Sequence, residues 1–160
     1  MSKQLSEEQK RAWSTFYVSH AVLSKLISKR MATAGVCSLE EYDILLQLEL
    51  SKSGRLTMKE LAEHSLFTKS GLTRLIDRLE AKGWVRRECN PADRRSTFAA
   101  LTKAGMSERV RSWEIYQEAI RELFTDKLTN EELQKVEDMF GRFLTGELDW
   151  QHCSKPPNCG

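Results

Sequence analysis

The chain has 160 residues, of which 40% are hydrophobic and 30% are charged, and its formal net charge is +2 at pH 7. This length suits one domain, or one compact unit with two lobes. No apolar run is long enough to cross a membrane, and the first residues lack the apolar stretch of a signal peptide. We therefore expect a cytoplasmic protein, and the four scattered cysteines, which form no CxxC pair, favour reduced thiols.

Capping-box patterns predict where four helices begin. A Ser or Thr followed three residues later by Glu or Gln satisfies two free backbone N–H groups at a helix start. This pattern occurs at Ser6, Ser38, Thr57 and Thr129. Two further helices are expected to begin after Thr68 and Thr102, so the fold should be mainly α. The predicted helices cover about residues 7–33, 39–51, 57–64, 69–82, 103–127 and 130–148.

Two strand-like segments enclose a charged loop in the middle of the chain. Residues 84–89 and 97–101 flank a turn that begins at Asn90-Pro91, which predicts a β-hairpin. The two short helices before the hairpin have the spacing of a helix-turn-helix. A helix-turn-helix followed by a two-stranded hairpin is a winged helix-turn-helix, with the charged loop as the tip of the wing.

The positive charge is concentrated in this region. Residues 68–95 contain eight Lys or Arg against four Asp or Glu, whereas residues 106–150 contain six against eleven. A basic segment on a nearly neutral chain indicates an anionic partner such as nucleic acid. Solvated charged faces are also common, so composition alone leaves both interpretations open.

The fourth helix has separate apolar and polar faces. Leu72, Leu75 and Leu79 lie on a predicted buried stripe, whereas Arg74 and Arg78 share another face. In a helix-turn-helix, the first residues of the second helix contact bases in the major groove. An ordinary amphipathic helix with a solvated polar face is the alternative. The candidate DNA-binding residues are Thr68, Lys69, Ser70, Gly71, Thr73, Arg74 and Arg78 on this helix, and Asp93, Arg94 and Arg95 in the loop.

The run from Leu56 to Gly105 resembles the MarR family of bacterial transcriptional regulators. The most specific motif is the DRR of residues 93–95, followed by the LTKAG of residues 101–105. The phrase LTRLIDRLEAKGWVRR also matches the family's recognition helix and first wing strand. The resemblance implies a homodimer, built from the first, fifth and sixth helices, that binds a palindromic double-stranded DNA operator. It usually implies repression, which a small effector of phenolic or aromatic-acid type relieves.

The same resemblance assigns roles within the wing. Arg95 is the arginine that enters the minor groove, Asp93 braces the wing, and Arg94 lies on a phosphate. A narrow minor groove concentrates negative potential and attracts arginine, which agrees with this assignment. The predicted organisation is an N-terminal dimerisation helix (1–37), a winged helix-turn-helix domain (38–103), C-terminal dimerisation helices (104–150) and a flexible tail (151–160).

An aromatic stripe on the first helix has two interpretations. Trp13, Phe16, Tyr17 and His20 recur at helical spacing, which is typical of packing in a dimer core. They could also form one wall of a mostly apolar effector pocket, in which a cation would pair an effector carboxylate. The candidate ligand-binding residues are Trp13, Tyr17, His20, Arg86 and Arg87.

Cysteine chemistry gives an alternative mode of regulation. Cys89, close in sequence to Arg86 and Arg87, is the better candidate for an oxidant sensor, and Cys37 is the second. The family's sensors typically keep the reactive cysteine near the start of the first helix, where this chain has none. Buried or incidental thiols are the simpler interpretation.

The sequence shows no catalytic constellation and no metal site. Gly-rich phosphate loops, HExxH and GxSxG are all absent, so we expect neither an enzyme nor a cofactor. His152, Cys153 and Cys159 lie together in the tail without a fourth ligand for zinc.

Overall fold

The computed structural model describes residues 4–64, 68–93 and 95–143, except for the side chains of His64 and Lys69. Within these ranges the fold is mainly α with one small sheet, which confirms the predicted class. A 3-10 helix, Thr125–Lys127, follows the fifth α-helix. The elements are α1 (Glu7–Thr33), α2 (Leu39–Leu50), β1 (Arg55–Thr57), α3 (Met58–His64), α4 (Lys69–Ala81), β2 (Val85–Cys89), β3 (Thr97–Leu101), α5 (Lys103–Leu123) and α6 (Asn130–Gly141).

The predicted helix starts are confirmed by their side-chain caps. Ser6 and Ser38 accept hydrogen bonds from the N–H groups of the third residues of α1 and α2, at 3.2 and 3.3 Å. Thr57 and Thr129 cap α3 and α6 in the same way, each with a Glu three residues on. Local side-chain hydrogen bonding therefore determines where these helices begin.

The sheet contains a third strand that the sequence analysis did not predict. The strand order is β1-β3-β2, and both pairs are antiparallel. Arg55 of β1 lies opposite Ala100 of β3, and the N–H of Leu101 donates to the carbonyl of Gly54 at 2.9 Å. Three residues are too few to show strand alternation, and the pairing joins segments about forty residues apart in the chain.

The core lies beneath the sheet and is built mainly from α2, α3 and α4. The leucine stripe of α4 is buried as predicted, and α5 packs on both α1 and α2. Tyr42 of α2 contacts the rings of Trp113 and Tyr116 on α5, with centroid distances of 6.3 and 5.2 Å. The largest fully buried side chains include Met31, Ile44, Leu45, Leu48, Leu61, Leu72, Ile76, Leu79 and Val85.

Two predicted helices extend further than the helices of the structure. The fifth helix was expected to run to about residue 127, but α5 ends at Leu123 and the chain tightens into the 3-10 helix. The sixth was expected to reach 148, and the described helix ends at Gly141. Residues 144–160, including the predicted tail, lie outside the described residues. No helix of the described part is long and apolar enough to cross a membrane.

Candidate nucleic-acid interface

The helix α4 presents a polar face to solvent directly after its capped start. Thr68 accepts a hydrogen bond from the N–H of Gly71 at 3.2 Å, which fixes the first turn. Ser70, Thr73, Arg74 and Arg78 are exposed, while the opposite face is buried in the core. Gly71 is partly buried against its own cap, and a Cβ there would lie 3.1 Å from the Thr68 hydroxyl oxygen. Lys69 belongs to the helix, but its side chain is outside the described set.

The helix α3 precedes α4 and packs against it, as a helix-turn-helix requires. Leu61 of α3 is fully buried, and residues 65–67, which connect the two helices, lie outside the described residues. Because α4 is the second helix of the pair, its exposed face is the one that a DNA major groove would receive.

The wing consists of β2, β3 and the loop between them. The loop is closed by backbone hydrogen bonds from Asn90 to Ser96 at 3.3 Å and from Ser96 to Asp93 at 2.9 Å. One carboxylate oxygen of Asp93 accepts from the N–H of Arg95 at 3.0 Å. The Asp93 side chain thus holds the backbone of the tip and leaves the Arg95 guanidinium exposed. Arg94 lies outside the described residues.

The exposed arginines of α4 and of the wing tip are Arg74, Arg78 and Arg95. Among the residues that the structure describes, Arg74, Arg78 and Arg95 have no ion-pair partner, although several acidic side chains lie on the same elements. Guanidinium groups that are exposed and unpaired can bind phosphates or base edges without first breaking a protein contact. This arrangement suits a polyanionic partner.

Arg87, proposed from the sequence as an effector ligand, contacts α4. Its guanidinium donates to Asp77 at 2.6 Å and also to Glu80, and both acids lie on α4. Burial acts to lower the pKa of Arg87, but the hydrogen bonds to these two acids outweigh it and raise the pKa. Arg86 pairs with Glu88 on the same strand at 2.7 Å.

The aromatic ligand candidates lie elsewhere. Trp13 and Tyr17 are each 62% exposed and stack on one another with ring centroids 6.3 Å apart. Phe16 contacts His20 on the same helix and Phe140 of α6, at 6.5 and 5.1 Å. In the described part of the chain, the α1 candidates and the two arginines of β2 therefore have separate sets of partners.

A groove between α1 and α5 was missed by the sequence analysis. It has a volume of about 500 Å³ and is lined mainly by apolar atoms of side chains such as Leu26, Ile115 and Leu123. Lys29 and Arg30 stand at the groove, and Arg30 pairs with Glu122 at 2.5 Å. No sequence pattern predicts this groove, because its shape depends on how two separate helices pack.

The two described cysteines differ in environment, and neither forms a disulfide. The Cys37 thiol is buried at 3.0 Å from the Ser112 hydroxyl, and the Cys37 N–H donates to Glu108 at 2.8 Å. Burial raises the pKa of Cys37 to about 11, which disfavours the reactive thiolate. Cys89 is exposed at the end of β2. His152, Cys153 and Cys159 lie outside the described residues.

Comparison with known proteins finds transcriptional regulators of the MarR type among the relatives. The model of the MarR family matches residues 38–96. The multiple antibiotic resistance protein MarR of Escherichia coli (strain K12) is 33% identical over 73 residues, which cover 46% of this chain and 51% of that protein. The match thus spans about half the length of this curated relative.

Two solved structures resemble nearly the whole described fold. Sco3205, a MarR family transcriptional regulator from Streptomyces coelicolor solved in complex with DNA, has a TM-score of 0.85 at 28% identity. That likeness covers 93% of this chain and 96% of Sco3205. AbsC from the same organism gives a TM-score of 0.81 at 28% identity, over 89% of this chain and 96% of AbsC. In sequence over residues 38–96 and in fold over most of its length, the chain is similar to transcriptional regulators of the MarR family.

Proposed function

We propose that this chain forms a homodimer that binds a palindromic operator in double-stranded DNA and represses transcription until a small effector releases it. The main support for the proposal is that, among the described residues, one winged helix-turn-helix unit exposes unpaired arginines on two surfaces, the polar face of α4 and the wing tip. Arg74 and Arg78 face solvent on α4, and Arg95 faces solvent at the wing tip. That Sco3205 was solved in complex with DNA supports the same class of partner here.

The two surfaces suit the two grooves of DNA. The N-terminal half of α4 enters the major groove, where Thr68, Ser70 and Thr73 approach base edges. Lys69, Arg74, Arg78 and Arg94 neutralise phosphates or read bases nearby. The wing then places Arg95 in the adjacent minor groove, with Asp93 holding the backbone of the tip.

An exposed apolar surface supports a homodimer. So many large apolar side chains exposed on two helices are unusual in a monomeric protein, and a second copy of the chain would cover a part of them. Two-fold symmetry would then place the two α4 helices roughly 34 Å apart, one turn of DNA. The exposed apolar side chains on α1 are Trp13, Phe16, Tyr17, Val18, Val22 and Leu26, and those at and after the end of α6 are Met139 and Phe143.

The groove between α1 and α5 supports a small effector of phenolic or aromatic-acid type. Its floor is apolar, and Lys29 has no ion-pair partner among the described residues, so a carboxylate or phenolate could be bound there. The aromatic face of α1, with Trp13, Tyr17 and His20, is the second proposed contact surface. Such an effector releases DNA only if it binds the free and DNA-bound conformations with different affinity.

The proteins that this chain resembles are transcriptional regulators, which bind DNA and are not enzymes, and we extend this to the chain. We keep the division into a dimerisation helix (1–37), a DNA-binding domain (38–103), C-terminal dimerisation helices (104–150) and a tail (151–160) as part of the proposal. The proposed place of action is the cytoplasm, where the DNA of a bacterium lies.

Selection from a random-sequence library of DNA duplexes tests the proposed function. The protein should enrich an inverted repeat whose two halves are about one turn of DNA apart. If the purified dimer enriches no sequence and shows no salt-dependent affinity for any duplex, the chain is a protein-interaction module instead. A chain that contacts phosphates must lose affinity as the salt concentration rises.

Redox control is the second candidate, and the exposure of Cys89 favours it. Cys89 lies at the end of the first wing strand, so its oxidation would add bulk or charge close to the wing loop. Peroxide should then abolish DNA binding by the wild type and leave the Cys89→Ser variant active. Equal loss of binding in both proteins would exclude Cys89 as the sensor.

A further inference from the structure

Arg87 forms three hydrogen bonds that join the wing to the recognition helix. Its guanidinium donates to Asp77 at 2.6 Å and to Glu80, and its backbone N–H donates to the other oxygen of the Glu80 carboxylate at 3.2 Å. Asp77 and Glu80 lie in the C-terminal half of α4, whereas Arg87 lies in the middle of β2. We call these contacts the α4–β2 clasp.

The clasp stabilises both elements, because it provides a hydrogen-bond acceptor for β2 and a positive charge for the acids of α4. In the sheet order β1-β3-β2, the strand β2 is at the edge, and the clasp gives the Arg87 N–H an acceptor that no neighbouring strand supplies. Acids near the C-terminal end of a helix oppose the helix dipole, and the guanidinium offsets their charge. With a guanidinium that is 30% exposed and bound to two carboxylates, Arg87 is poorly available to an effector.

The clasp lies far from the wing tip, so a small rotation of the strand at the clasp displaces the tip by a large distance. A strand rises about 3.3 Å per residue, so the tip lies roughly 15 Å beyond Arg87. A rotation of about 10° at the clasp would therefore move the tip by roughly 3 Å. Groove contacts tolerate errors of only about 0.5 Å before their hydrogen bonds are lost.

We infer that Arg87 is a positioning residue, which sets the angle between the wing and α4 so that both contact their grooves at once. This inference rests on the proposed DNA-binding function. The short connection between α4 and β2 supports it. Gly83 adopts a positive φ of 71°, and the N–H of Trp84 donates to the carbonyl of Leu79 at 3.0 Å. The clasp fixes the direction of the strand that leaves this turn.

The test compares variants that break the clasp with opposite changes in charge. Arg87→Gln removes one positive charge, whereas Asp77→Asn combined with Glu80→Gln removes two negative charges. The probes are the duplex that the wild type enriches most from the random library and a shuffled duplex of the same composition. The measured quantity is the ratio of the affinities for the two duplexes, together with hydroxyl-radical protection of the minor groove next to each recognised half-site.

Both variants should lower the affinity ratio roughly tenfold and lose the minor-groove protection, although one gains positive charge and the other loses it. The charge swap Arg87→Glu with Glu80→Arg should restore a large part of both. Arg55→Gln is the matched control, since Arg55 lies on the same sheet and pairs with Glu88 at 3.0 Å, away from α4. Its ratio should stay within about twofold of wild type.

Three results would overturn the inference. The first is an unchanged ratio in both clasp variants when thermal unfolding shows them folded. The second is a ratio that follows net charge, falling in Arg87→Gln and Arg55→Gln but not in the double acid variant. The third is failure of the wild type to enrich any duplex, which removes the proposed function and the inference with it.

Discussion

Single residues determine how the wing presents its charge. Asp93 accepts the N–H of Arg95, and Asn90 accepts the N–H of Ala92 at 3.0 Å, so two short side chains shape the loop. Side chains of this kind stabilise turns by hydrogen bonding to the backbone two residues on. The Arg95 guanidinium has no partner in the described part of the chain and extends into solvent from a fixed backbone.

Replacing Arg95 tests the assignment of the wing. Arg95→Ala should weaken binding to the selected duplex by roughly 1–3 kcal/mol, because a groove contact is lost and no protein contact is broken. Fluorescence anisotropy at one fixed salt concentration measures the effect. Arg121→Ala is the matched control, since Arg121 pairs with Asp126 at the far end of α5 at 2.8 Å. Unchanged affinity in a folded Arg95→Ala dimer would contradict the assignment.

Asp43 makes stability depend on pH. Burial raises the pKa of its carboxyl to about 6, and the hydrogen bond that Gln47 donates at 3.0 Å offsets only part of this effect. Because the folded-state pKa lies above the unfolded value of about 4, this group favours folding in acid and loses that contribution as the pH rises through about 6.

The variant Asp43→Asn should therefore flatten the fall in the free energy of unfolding between about pH 4 and pH 6. Urea unfolding across this range measures it, with the wild type as reference. An Asn can still accept the Gln47 hydrogen bond, so the local packing stays comparable. The same pH dependence in both proteins would show that Asp43 is ionised at no cost.

At the scale of elements, the junction of the wing with α5 is fixed by a threonine and a glycine. The Thr102 hydroxyl donates to the carbonyl of Gly83 at 2.7 Å and accepts the N–H of Gly105 at 3.0 Å. Gly105 is buried, and a Cβ on it would lie 2.1 Å from the carbonyl oxygen of Trp84. This close approach explains physically why the LTKAG motif ends in glycine.

Gly105→Ala should destabilise the protein by about 1–3 kcal/mol or more, because α5 must move away from the start of β2. Gly141→Ala is the matched control. It also lies in a helix, nothing lies within 4 Å of its added Cβ, and it should be neutral or slightly stabilising. Chemical denaturation measures the free energy of unfolding of both variants. Equal values would show that the junction between the wing and α5 accommodates a Cβ at position 105.

The sequence predicted elements whose causes are local. Capping boxes at Ser6, Ser38 and Thr129 mark helix starts because the hydrogen bonds span only three residues. The strand β1 was missed, because its only support is pairing with β3, far along the chain. The end of α5 at Leu123 was also missed, since no glycine or proline marks it.

At the scale of the whole molecule, the sequence predicted the candidate DNA-binding surface, but not the contacts between elements that hold this surface in place. The polar face of α4 follows from helical periodicity, which places Arg74 and Arg78 opposite the buried leucines. The contact of Arg87 with α4 and the groove between α1 and α5 depend on how separate elements pack. The effector role that the sequence suggested for Arg87 stays a prediction, and in the structure the Arg87 guanidinium pairs with Asp77 and Glu80.

The measurement that tests the central claim most directly is a titration of the selected duplex at several salt concentrations. A dimeric winged helix-turn-helix protein should bind with two chains per duplex. The logarithm of its affinity should fall linearly with the logarithm of the salt concentration, with a slope of about −0.9 for each phosphate contact. Saturation at one chain per duplex, or an affinity that does not change with salt, would contradict the account.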